Sequence, residues 1–134
     1  IYLMYKFFKK HKYFFHIVNF LIILLYLYPG SILGYIFLKN YKIHPQITKD
    51  FIISSNHFYS FAFLSVLGLL TFHKTVYLRL LILYLFFSSL ILEILQIIIP
   101  KRGFEFSDLF GNILGVLTII FLYKLFNFYE HYKK

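Results

Sequence analysis

The chain has 134 residues, 60% of them hydrophobic, 24% aromatic and only 14% charged, whereas a soluble domain is nearer half apolar and a quarter charged. Its apolar residues lie in long charge-free runs, so lipid is the solvent for most of the chain. The formal charge of +9 comes from cations that flank those runs without forming a stripe, which excludes nucleic acid and favours anionic headgroups; the lack of cysteine excludes disulfides, thiolate metal sites and thiol catalysis.

Residues 1–12 form a basic, aromatic segment with Lys6, Lys9, Lys10 and Lys12. The first residue is Ile, so the start is expected to be truncated or unusually initiated. Residues 13–38 carry no Asp, Glu, Lys or Arg; the run outlasts a signal-peptide core and lacks a small-residue cleavage site, so it reads as an uncleaved anchor. Pro29-Gly30 interrupts it, and a kinked helix is expected there, with a span that ends at Pro29 as the alternative. A polar loop with Pro45 leads to the second run, residues 51–73, where Ser54 or Ser55 offers a cap.

The third run, residues 80–100, has 15 Leu, Ile or Phe among its 21 residues. These contribute about −4 to −9 kcal/mol to insertion against about +3 for a central acid, so the span inserts despite Glu93. Residues 109–128 make the fourth run, and 129–134 a polar tail. The expected fold is an all-α integral membrane protein, a small bundle of about four transmembrane helices in one domain over residues 13–128. Placing both termini in the cytoplasm puts nine Lys and Arg inside and five outside, which the positive-inside rule favours. Losing one span at Pro29 would reverse the rest.

This topology brings polar residues together. His57 lies about 9 Å into the second span, and Glu93 and Gln96 lie about 12 and 8 Å before Lys101. Ser89, Glu93 and Gln96 stand at i, i+4 and i+7, and Asp108, Asn112 and Gly115 repeat that spacing. The start of span two, the end of span three and the start of span four therefore present polar groups at one depth near the extracytoplasmic surface. Gly111 and Gly115 form a small-residue ridge for close helix packing, which leaves self-association open. Ser107 or Asp108 can cap the fourth span. Arg102, between the two stripes, is the expected partner of Glu93 or Asp108, and Gly103 is expected to take a positive φ in the turn. Tyr2, Tyr5, Tyr123, Tyr129 and Tyr132 read as an interface belt.

Glue between helices is the plain reading of such residues, but those bonds contribute only about 0.6–2 kcal/mol against the roughly 2.5–3.5 that a central charge costs. A functional role for Glu93 with Gln96 is therefore favoured about two to one. His57 alone more often packs than ligates; its shared depth with Glu93 brings the two readings to near parity. Asp108 as a mere cap is as well supported as Asp108 as a functional group. No His-Glu-x-x-His pattern or clustered His pair occurs, so neither a metal nor any other cofactor is expected.

Glu93 and Gln96 near the end of one run, Arg102 in the loop, then Asp108, Asn112 and Gly115 opening the next, resemble the VanZ-like family of small integral membrane proteins. His57-Phe58 with Phe61 and Leu64 extends the resemblance, which covers about residues 55–123. Relatives often carry an Asp-Lys pair shortly before the His; here those positions hold Ile53 and Ser54, with Lys49 and Asp50 a few residues upstream. The resemblance implies a bacterial envelope protein of the cytoplasmic membrane and, from the founding members, low-level resistance to teicoplanin-type glycopeptides. It supplies no established reaction. The reading that follows is a binding protein for a lipid-linked or amphiphilic ligand at the extracytoplasmic face. An intramembrane enzyme acting on a lipid headgroup, without a recognised catalytic motif, and a structural assembly partner are the alternatives.

Overall fold

A computed structural model describes residues 2–132 of the chain. Six helices follow one another: α1 (Tyr2–Lys10), α2 (Tyr13–Leu27), α3 (Ile32–Leu38), α4 (Ser55–Thr71), α5 (Leu78–Leu95, continued by a 3-10 turn over Gln96–Ile98) and α6 (Phe106–Tyr132). No strand occurs among the described residues. The class is the expected one, an all-helical membrane protein. Residues Leu78–Ile98 and Phe106–Tyr132 are each long and apolar enough to cross a membrane, and α2 with α3 supplies a third crossing if that pair counts as one span.

The first apolar run is broken, not gently kinked. The residue before a proline is driven from the helical region by the ring, and Tyr28 accordingly sits at φ −74°, ψ 133°. Gly30 then takes φ 96°, a conformation open to glycine at no steric cost. Ser31 restarts the helix by accepting the Gly34 N–H at 2.9 Å, and α3 leaves α2 at 88°. Backbone bonds from Ser31 to Tyr41 and from Asn40 to Gly34 tie α3 to the following loop. So α3 turns aside instead of prolonging α2.

The second apolar run becomes helical at Ser55, where a cap near Ser54 would start it. Asp50, not Ser54 or Ser55, supplies the cap: its Oδ1 accepts the Ser55 N–H at 2.7 Å, and the Ser54 side chain makes no cap bond. With 17 residues, α4 is about 25 Å long. In contrast, α6 starts earlier than residue 109 and absorbs most of the expected tail. Lys133 and Lys134, and the side chain of Tyr2, lie outside the described residues.

Helices α2, α4, α5 and α6 alternate in direction. The ring of Phe15 meets Phe72 edge-on at one end of the α2–α4 pair, and Tyr26 meets His57 at the other. α4 and α6 run parallel and very close. A Cβ on Gly111 would fall 2.7 Å from the Ser54 carbonyl oxygen, and one on Gly115 2.5 Å from that of Phe58, so only glycine lets these backbones touch. The ridge expected to serve packing is thus consumed within the chain, facing α4 and not a second copy. Phe61, Leu64, Leu85 and Val116, all fully buried, form the centre of the core. α1 closes the end away from the polar stripes, where Tyr5 stacks on His73 at 3.7 Å.

Candidate functional site

Both polar stripes point inward. Ser89, Glu93, Gln96 and Asn112 are each at most 2% exposed, and Gly115 is buried beside them. Every one of these groups has therefore left both water and lipid, and its partners decide what that burial amounts to.

Asn112 joins four helices. Its Nδ2 donates to the Ser89 carbonyl of α5 at 3.2 Å, and its Oδ1 accepts from the Tyr26 hydroxyl of α2. The same oxygen lies 3.1 Å from His57 Nδ1 of α4. An amide oxygen can only accept, so His57 Nδ1 carries a proton. In the neutral ring Nε2 is then an acceptor, and it faces Asp108 Oδ2 at 3.3 Å. Glu93 Oε2 lies 3.6 Å from Nδ1.

The two oxygens of Glu93 differ. Oε1 accepts the backbone N–H of Glu105 at 3.2 Å, so a carboxylate from α5 caps the start of α6, a placement that suits the helix dipole. Oε2 has no hydrogen-bond partner, and neither does Nε2 of Gln96. Glu105 occupies the position where α6 begins, its carbonyl accepting from Asp108 and Leu109. Asp108 therefore sits in the first turn of the helix, its carboxyl group facing His57 and not acting as the cap.

Arg102 departs from expectation. Among the described residues it forms no ion pair with Glu93 or Asp108. Its guanidinium instead donates to the carbonyls of Leu25, at 2.8 Å, and Tyr28, at 3.2 Å. Leu25 lies in the last turn of α2 and Tyr28 is the residue that ends it, where carbonyls lose their helical donors at Pro29. The left-handed residue of the turn is Lys101, at φ 63°, and not Gly103.

Two adjoining cavities open over this cluster. One, of about 290 Å³, is polar and bordered by Asp50, Glu105, Asp108, Lys101 and Gln46. The other, of about 150 Å³, runs along Ile22, Leu25, Tyr26, Ile32 and Leu33. His44, Asn56, His57, Gln96 and Arg102 border both. Partial desolvation at the mouth, and after it the charge of Arg102, hold His44 below the ordinary imidazole value of 6.5. Four of the chain's five acids (Asp50, Glu93, Glu105 and Asp108) gather at this end.

His57, Glu93, Gln96, Asp108 and Asn112 thus come together, while Arg102 stands at the rim with its donors turned to α2. Sequence reasoning missed Tyr26, although a tyrosine inside a charge-free run was a signal, since a buried hydroxyl seeks a partner. It missed His44 and Glu105 as well. His44 lies in a loop whose path depends on Gly34 and Tyr41, and no local pattern marks it.

The fold and the cleft define an all-helical membrane protein with a polar cluster buried at one end of its bundle. The VanZ/LLP1 family profile matches residues 1–127, and the chain belongs to that family. The match takes in α1 to α3 as well as the polar stripes. No curated protein and no solved structure matches the chain.

Proposed function

We propose that the chain is a multi-pass protein of the bacterial cytoplasmic membrane, both termini cytoplasmic, whose cleft binds a lipid-linked or amphiphilic ligand at the extracytoplasmic face. The observation that carries this reading is the pair of cavities. A polar chamber and an apolar channel share five bordering residues, the shape and chemistry of a headgroup joined to a hydrocarbon chain. Buried groups without partners, Glu93 Oε2 and Gln96 Nε2, supply hydrogen-bonding capacity that packing alone leaves unused. A contribution to teicoplanin-type resistance fits this reading: a protein that holds a lipid-linked surface molecule alters the access of a lipophilic glycopeptide to it.

The test is saturable binding of a fluorescent undecaprenyl phosphate analogue to the full chain in detergent micelles. Gln96→Ala is expected to weaken it at least about tenfold, the loss of one or two buried hydrogen bonds. Binding that does not saturate, or that is equal in the variant, overturns the proposal. A second reading, an enzyme acting on a lipid headgroup, draws support from His57 standing between two carboxylates, an arrangement suited to proton transfer. Its mark is turnover of a labelled lipid-linked substrate that disappears in Glu93→Gln. Assembly through the glycine ridge has lost its surface, because α4 covers both glycines.

A further inference from the structure

The imidazole of His57 and the carboxylates of Glu93 and Asp108 each offer one ligand atom, and these three atoms lie within 4.8 Å of one another. An ion held at about 2.0–2.2 Å from nitrogen and oxygen donors keeps neighbouring donors about 3.0–3.5 Å apart. The 3.3 Å between His57 Nε2 and Asp108 Oδ2 is of that size. Three different helices supply the ligands, which is why no short spacing in the sequence announces them.

Independent observations point to a cation. With Nδ1 turned to Asn112, Nε2 and the Asp108 carboxylate stand 3.3 Å apart, a pair held together by something positive between them, a proton on the ring or a metal ion. Glu93 is 0% exposed, yet its Oε2 has no hydrogen-bond partner. The supporting contacts are those that orient metal ligands elsewhere: His57 is fixed through its other ring nitrogen by Asn112, and Glu93 through its other oxygen by the Glu105 N–H. Finally, the mouth sets Asp50, Glu105 and Asp108 against Lys101 and Arg102, and Glu93 adds a further acid. An anionic headgroup would be repelled there without a cation to receive it.

We infer that His57, Glu93 and Asp108 form a binding site for a divalent cation of the Zn2+ or Mn2+ type. One nitrogen and two carboxylate donors suit these ions better than Mg2+ or Ca2+, which take oxygen alone. The cation then serves as the anchor for the phosphate or carboxylate of the ligand. That second step rests on the headgroup-binding reading above; the cation site itself does not.

The experiment is equilibrium dialysis of the purified full chain in micelles against Zn2+ and, separately, Mn2+, with the bound metal counted by mass spectrometry. One ion per chain is expected for at least one of the two metals. Glu93→Gln and Asp108→Asn, which keep size and shape, should each weaken it at least about tenfold, while His131→Ala, on the exposed last turn of α6, should leave it unchanged. No stoichiometric binding of either metal, or full binding in the Glu93→Gln, Asp108→Asn double variant, overturns the inference. X-ray absorption of the Zn2+-loaded wild type guards against variants that fail to fold: one imidazole among oxygen donors supports the site, and two or more imidazoles overturn it. The fluorescent lipid probe, measured in parallel with EDTA and with Zn2+, separates the two proposals. Probe binding without metal binding sinks the cation alone, and metal binding without probe binding sinks the headgroup reading alone.

Discussion

The two ends of the helical bundle carry similar residue types and treat them differently. At the end closed by α1, Tyr5 stacks on His73, and His73 Nδ1 meets the Tyr123 hydroxyl at 2.8 Å. Tyr5, His73 and Tyr123 thus have matched neighbours there, and the polar atoms of α4 without a hydrogen-bond partner, the hydroxyls of Ser65 and Thr71, are neutral. At the cleft end, two groups crowd one oxygen of Asn112, the His57 ring stands between the carboxyl groups of Glu93 and Asp108, and the fully buried Glu93 keeps one oxygen without a hydrogen-bond partner. Packing accounts for the first end. It does not account for the second, where a buried carboxyl group and a buried amide each keep an atom without a hydrogen-bond partner.

The harshest way to break this contrast is to remove the contact that assembles the cleft. Gly115→Leu drives a side chain into the Phe58 backbone, which cannot yield as a side-chain tip can. The expected destabilisation lies at or above the upper end of the roughly 1–3 kcal/mol typical of overpacking, read as thermal unfolding in micelles. A melting temperature equal to wild type would mean that α4 and α6 do not touch as described. Glu93→Gln separates stability from function. Its amide oxygen can still accept the Glu105 N–H, so stability should change by no more than about 1 kcal/mol while probe binding falls at least about tenfold. Loss of stability with binding retained would make Glu93 a structural cap only. Tyr26→Phe deletes one donor to Asn112 and should cost about 1 kcal/mol, by the same melting measurement.

Much of this architecture was legible because membrane helices advertise themselves by hydropathy, and because polar residues at i, i+4 and i+7 on a helix must share a face. That reasoning placed Glu93, Gln96, Asp108, Asn112 and His57 together before any contact was known. It failed where the backbone departs from helical periodicity. The right-angle break at Pro29 depends on Gly30 and the Ser31 cap acting together, and the cap bond of α4 comes from Asp50 in the preceding loop and not from Ser54 or Ser55. Arg102 was paired with the wrong groups for a related reason. A charge count favours the acids, but the carbonyls freed where α2 stops at Pro29 are nearer to its fork. The convergence of His57, Glu93 and Asp108 within one ion's reach could not be read from spacing, since it is set by the depth to which α4 and α6 interpenetrate at their glycines.

Weaker perturbations sharpen the comparison at its margins. His73→Phe keeps the stack on Tyr5 and loses the bond to Tyr123, so about 1 kcal/mol of stability should go with no change in probe binding; a binding defect would show that the two ends are coupled. The smallest expected effect belongs to His44. Because its folded value lies below 6.5, the unfolded chain binds more protons at this position between the two values, and stability rises with pH across that window. Acidification from pH 6.5 should therefore cost the wild type a small part of its stability that His44→Gln does not lose, once the two melting curves are compared at each pH. Arg102 opposes protonation of the ring, while Asp108 and Glu105 favour it, so Arg102→Gln should narrow the window. If wild type and His44→Gln lose stability in parallel, the mouth does not desolvate this ring, and His44 belongs to the loop surface and not to the cleft.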